Sequence, residues 1–184
     1  MRMRRCRWAT ALLSAAMLVA CQRVPRHATV LEPPQPLPTL AFPSRGAAVP
    51  LADGRRWTLL AVGYTRCPDI CPLTLARLAE AWHALGRDTA RLRVLFVSLD
   101  DADDPAAAAG FAARFHPSFL GAAAPPLARD RLARALGLVA MPGASGMLHH
   151  TARVWAVDPG GRLRALWPPN LAGDTLAAEI RRLW

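Results

Sequence analysis

The chain contains no lysine: all 23 of its basic residues are arginine. Beside so much alanine, this reads as base-composition bias and not as selection for a polyanion. Basic and aromatic residues never interleave in a cluster, which argues against a nucleic-acid partner. No internal repeat is visible. Only four cysteines occur in 184 residues, too few for a disulfide-stapled scaffold. The amino-terminal apolar run, Ala9 to Ala20, is twelve residues long, where a helix crossing a bilayer needs about 20.

That short run still carries information. Arg2, Arg4, Arg5 and Arg7 precede it, giving the basic and apolar regions of a secretory signal over residues 1–20. It ends in Leu18-Val19-Ala20-Cys21, which resembles the lipobox of bacterial lipoproteins, with cleavage before Cys21 and a lipid on its thiol. An uncleaved anchor would tether the chain on the same side. Loss of the signal lowers the formal charge from +10 to +6, a moderate charge that favours anionic headgroups only weakly. It also removes Cys6, and lipid would occupy Cys21. Cys67 and Cys71 then remain as one close pair, which points to chemistry more than to scaffolding.

Residues 21–39 include Pro25, Pro33, Pro34, Pro36 and Pro38 and read as an extended tether. The folded domain is expected over residues 40–184. Ala47 to Leu51 reads as a short strand, and the turn Asp53-Gly54 leads to a buried strand from Trp57. Leu75, Leu78, Ala79, Trp82 and Leu85 keep helical spacing, with Gly86 as a stop. Leu92 to Leu99 reads as a second buried strand with Asp100 at its carboxyl end. Asp104-Pro105 caps a helix reaching about Phe115, and a shorter helix spans Asp130 to Leu136. Val139 to His149 reads as a mobile loop. His150 leads into a strand, Ala152 to Val157, which Asp158-Pro159-Gly160-Gly161 turns back as Arg162 to Trp167. A helix from about Asp174 to Leu183 closes the chain. The order βαβα, hairpin, helix is that of an α/β thioredoxin-like domain, a central mixed sheet flanked by helices.

The stretch Gly63-Tyr64-Thr65-Arg66-Cys67-Pro68-Asp69-Ile70-Cys71-Pro72 places two thiols where the strand from Trp57 passes into a helix. A helix start offers free amide donors and partial positive charge, which favour thiolate, the form that binds metals and attacks disulfides. If both cysteines lie in the first turn, their Cβ atoms stand about 5–6 Å apart, whereas a disulfide wants about 3.8 Å. The pair is thus suited to sharing a soft metal, or to closing as a disulfide after a local shift. Pro68 and Pro72 stiffen the turn. His27, His83 and His116 read as surface residues, and Met141 and Met147 as loop filler.

Tyr64-Thr65-Arg66-Cys67-Pro68-Asp69-Ile70-Cys71-Pro72, with His150-Thr151 leading into Val154-Trp155-Ala156-Val157-Asp158-Pro159-Gly160-Gly161, resembles the Sco/SenC family of copper-binding proteins. The similarity runs from about Pro38 to the end. It implies a thioredoxin-like, membrane-tethered protein on the periplasmic side of the bacterial inner membrane. It further implies Cys67, Cys71 and His150 as ligands of one copper, Cu(I) or Cu(II). The partner implied is the copper-receiving subunit of cytochrome c oxidase, whose binuclear copper site the family helps to assemble; other copper chaperones or thiol reductants are further partners.

Three departures stand out. The family commonly has His at the position of Arg66 and Asp at that of His149, and it reads Asp-Pro-x-x-Asp where this chain has Asp100-Asp101-Ala102-Asp103-Asp104. Asp69, Asp100 and His149 are the groups expected to support the ligands without binding. Alternation along a strand sends His149 and His150 to opposite faces, so one of the two is expected to reach the thiols.

Two thiolates and an imidazole suit copper, and Cu(I) is content with three ligands, whereas a lasting zinc site wants a fourth. Two enzymatic readings stay open. In the first, Cys67 and Cys71 form a redox-active disulfide, with Cys67 attacking a substrate disulfide and Cys71 resolving the mixed intermediate. The second, ranked last, is a thiol peroxidase, from the Thr65-x-Cys67 order and a nearby Arg66 or Arg153.

Overall fold

The computed structural model describes residues 25–138, 140–142, 148–150 and 152–184, with 140–142 and 148–150 described by their backbone. The signal and Cys21 lie outside these residues.

The strands with the least polar sequences lie at the centre. β4 (Trp57–Gly63) and β5 (Leu92–Ser98) pair in parallel from Trp57 opposite Leu92 to Gly63 opposite Ser98. Every residue of β5 is buried, as expected for a strand covered on both faces. Around this pair runs a six-stranded mixed sheet in the order β1-β10-β9-β4-β5-β6. β6 (Leu120–Ala123) is parallel to β5, while β9 (Val154–Val157), β10 (Arg162–Trp167) and β1 (Thr29–Pro36) follow antiparallel on the other side. β2 (Ala41–Pro43) with β3 (Ala48–Pro50), and β7 (Ala140–Pro142) with β8 (Leu148–His150), form two small antiparallel pairs.

The period of two along β4 and β5 divides the core. Leu59, Ala61, Val94 and Phe96 face one layer, packed against α1 (Ile70–Leu85), α2 (Pro105–Ala113) and α4 (Gly173–Ile180). Leu60, Val62, Leu95 and Val97 face the other, with Trp155, Phe42 and Leu132 of α3 (Pro126–Leu136). Each buried Leu, Val or Phe side chain among them contributes about 1.5–3 kcal/mol relative to exposure. At Gly121 a β-carbon would overlap the backbone of Ala108, so its lack of a side chain lets α2 lie directly on β6.

Four expectations need correction. The Pro-rich segment is not only a tether, since Thr29–Pro36 forms the edge strand β1 along β10. Its register shifts between Val30 and Gln35, which accommodates Pro33 and Pro34 at the one place in a sheet where proline is tolerated. The folded unit therefore begins before residue 40, and the backbone amides of Arg26 and His27 donate to the Glu179 carboxylate of α4. The loop expected from Val139 to His149 contains β7 and the start of β8. α3 starts at Pro126, four residues before the expected Asp130, with proline in its first turn. β6 was not foreseen.

Candidate metal and thiol site

The site begins where β4 stops. Gly63 is its last residue, and the Leu99 amide donates to the Gly63 carbonyl at 2.8 Å, so the ends of β4 and β5 stay in step. The chain then turns, with the Cys67 amide donating to the Tyr64 carbonyl at 3.2 Å, before α1 starts at Ile70. Cys67 thus precedes the helix and only Cys71 lies in its first turn, in place of the expected arrangement of both within one turn.

This offset lets a sulfur act as the cap. Asp69, at the N-cap of α1, makes no side-chain capping bond. The Cys71 amide instead donates to Cys67 Sγ at 3.4 Å, and the Asp69 backbone amide points at the same sulfur. Free helix-start amides normally seek an oxygen; here they converge on a thiol.

The two cysteines are not joined in a disulfide and are buried, 8% and 4% exposed for Cys67 and Cys71, and they differ chemically. Burial alone would raise the Cys67 thiol, but the Asp69 amide, the Cys71 thiol and amide, and the Tyr64 hydroxyl together hold it below the ordinary value. Burial, reinforced by the hydrogen bond to Cys67, pushes the Cys71 thiol well up. In the reduced pair Cys67 is the more acidic thiol and Cys71 the less acidic one.

Asp103 holds the turn from the other side, a role not foreseen in the sequence. Its carboxylate, 8% exposed, accepts from the Thr65 amide at 2.7 Å, the Thr65 hydroxyl at 2.5 Å and the Ser98 hydroxyl at 2.6 Å. The Thr65 turn is thereby fastened to the end of β5. Next to it, the exposed Arg66 guanidinium donates to Asp100 at 2.6 Å. Burial would raise the Asp100 carboxyl, but the Ala102 amide and Arg66 hold it low. Of the groups expected to support the ligands, Asp100 lies beside the thiol turn, and Asp69 contributes through its amide.

His149 and His150 lie on β8, opposite Met141 and Ala140 of β7. Val154, which opens β9, pairs with Ala61. The segment leading into β9 therefore arrives at the carboxyl end of β4, the end that carries the thiols. Their side chains lie outside what is described, as does the expectation that only one reaches the sulfurs. Among the described residues no three His, Cys, Asp or Glu converge on one point, and no helix is long and apolar enough to cross a membrane.

A family model described as SCO1/SenC matches residues 51–184. The mitochondrial protein SCO2 homolog of Danio rerio is 30% identical over 134 residues, 68% of this chain and 48% of that protein. The chain spans about half the length of the curated relatives it matches. Among solved structures, apo Sco1 from Thermus thermophilus superposes with a TM-score of 0.76 at 33% identity, over 86% of this chain and 96% of that one. ScoI of Bradyrhizobium japonicum with copper bound gives 0.70 at 26% identity, over 81% and 99%. These likenesses bear out the thioredoxin-like fold.

Proposed function

The chain belongs to the SCO1/SenC family, and from that premise we propose that it is a copper metallochaperone. Copper is its cargo, taken by Cys67, Cys71 and His150 and passed to the copper-receiving subunit of cytochrome c oxidase. The observation that carries this reading is the reduced pair of sulfurs where β4 gives way to α1, fed by two amides and differing in acidity. Two soft donors with one imidazole suit Cu(I), and the same set takes Cu(II). An incomplete shell suits an ion that is handed on, since a partner's thiol or imidazole replaces one ligand at a time. A copper-bound relative at 26% identity supports the cargo.

The anchoring also belongs to this reading. A signal over residues 1–20 and a lipid on Cys21 would hold the domain at the periplasmic face of the inner membrane, with the residues ahead of β1 as the leash.

The acidity difference favours a second use of the same pair. Cys67 thiolate attacks a disulfide of the receiving subunit and releases one of its thiolates. Cys71, deprotonated, then attacks the Cys67 sulfur, frees the second thiolate and leaves a Cys67–Cys71 disulfide. Two electrons pass to the substrate, whose two thiolates take up the proton lost by Cys71 and one from solvent.

Titration of the reduced protein with Cu(I) and Cu(II) tests the first reading. One equivalent is expected, lost in Cys67→Ser and in Cys71→Ser, and weakened in His150→Ala but not in His149→Ala. No binding in any form, together with turnover of a disulfide substrate, would replace the chaperone by a reductase.

A further inference from the structure

Charge is sorted by sign between the two ends of the sheet. One end holds the starts of β4 and β5, where Trp57 pairs with Leu92, and the turn between β9 and β10, since Val157 lies opposite Thr58. The thiols lie at the other end, one strand of seven residues and so about 20 Å away. Arginines gather at the first end. Arg55 and Arg91 stand just before β4 and β5, Arg87 lies between α1 and β5, and Arg162 and Arg164 belong to β10. Arg162 and Arg164 share the single carboxylate of Asp158, while Arg55, Arg87 and Arg91 are exposed and form no ion pair among the described residues. These five leave a surplus of four positive charges. At the thiol end the sign reverses: Asp69 and the four aspartates between 100 and 104 outnumber Arg66, Arg129 and Arg153. Base-composition bias sets arginine in place of lysine, but it does not separate acids from bases across a fold.

The basic end also carries an open aromatic. Trp184, 36% exposed, is one of two large apolar side chains left exposed among the described residues. Its ring lies 6.0 Å from that of Trp57. The Arg91 guanidinium stands 5.9 Å from the centre of the Trp184 ring, and the Arg164 guanidinium 5.9 Å from that of Trp57. Guanidinium groups grip phosphate oxygens in pairs, and indole rings settle at the level of lipid headgroups. Side by side, they match the two layers of a membrane interface.

We propose that this arginine and tryptophan end rests on an anionic bilayer surface, as a contact separate from any lipid anchor. Each arginine near such a surface strengthens binding about fivefold, and the same surface repels the acidic thiol end. The domain then stands with Cys67 and Cys71 turned away from the lipid, towards a partner that projects from the membrane. The proposal takes its setting from the anchoring reading, but its contacts are the domain's own.

The test uses the full chain on vesicles of phosphatidylcholine, alone or mixed with phosphatidylglycerol, with far-UV circular dichroism to verify folding of each variant. Sedimentation with pure phosphatidylcholine reads the amino-terminal anchor, so failure of the anchor and failure of docking are separate results. Docking is read in a Trp8→Phe background as quenching of tryptophan fluorescence by brominated lipid chains. Quenching that depends on phosphatidylglycerol is expected, falling by about half or more in Trp184→Phe. In Arg55→Ser/Arg91→Ser the docked-to-undocked ratio should fall about twentyfold, at about fivefold per arginine. Arg131→Ser/Arg153→Ser removes the same net charge elsewhere and should change the ratio by less than about twofold. Equal quenching on both kinds of vesicle, or an equal loss in the two double variants, overturns the proposal.

Discussion

Sγ of Cys71 fills the space that a β-carbon on Gly63 would need. The thiol therefore rests directly on the backbone of the central strand, and Gly63→Ala must displace either the sulfur or β4. Overpacking of this kind costs about 1–3 kcal/mol. A lower unfolding midpoint is expected in denaturant, along with weaker Cu(I) binding even in protein that remains folded. A variant with unchanged stability and unchanged copper stoichiometry would show that the contact is dispensable.

Asp103 joins the thiol turn to β5 through three hydrogen bonds. Asp103→Ala leaves the Thr65 amide and two hydroxyls without their acceptor and is expected to cost about 3 kcal/mol. Asp103→Asn keeps one carbonyl oxygen and should cost less. Urea unfolding of both variants measures the order, and equal losses would contradict it.

In reduced, metal-free protein, Cys67 is the more acidic of the two thiols and Cys71 the more deeply covered. Iodoacetamide at neutral pH should therefore label Cys67 ahead of Cys71, by roughly tenfold or more in rate. Peptide mapping by mass spectrometry reads the order. Faster labelling of Cys71 would reverse the roles assigned to the pair in disulfide exchange.

Glu179 supplies a pH dependence of folding. Burial would raise its carboxyl, but the amides of Arg26 and His27, with Trp167 and the His27 ring, hold it below the usual 4.5. A carboxylate depressed in the folded state contributes stability that is complete above that ordinary value and disappears as pH falls through the lower folded value. Chemical denaturation between pH 3 and 7 should show stability declining on the acid side. Glu179→Gln is expected to flatten that decline and to lower stability near neutrality.

Much of this architecture is legible in the residues. The uninterrupted apolar runs of β4 and β5 announce strands covered on both faces. Asp104-Pro105 marks the start of α2, where the Asp104 side chain accepts from the Ala107 amide, and Asp158 to Gly161 turns β9 into β10. What escaped reading has physical reasons. β1 hides among prolines because an edge strand tolerates what an inner one cannot. β6, Leu-Gly-Ala-Ala, has no β-branched or aromatic residue and is a strand only because β5 lies beside it. The thiols could be located from the strand-to-helix transition alone, but Asp103 could not. It is one of four aspartates in five residues, and only the fold decides which of them turns inward.

The pairing of β1 with β10 stitches Thr29 to Leu166 and Pro36 to Arg162. During synthesis, the early segment has no strand to lie against until the last fifth of the chain has emerged. The sheet is thus completed by its two sequence extremes together, and clipping either one would strip the other of its neighbour.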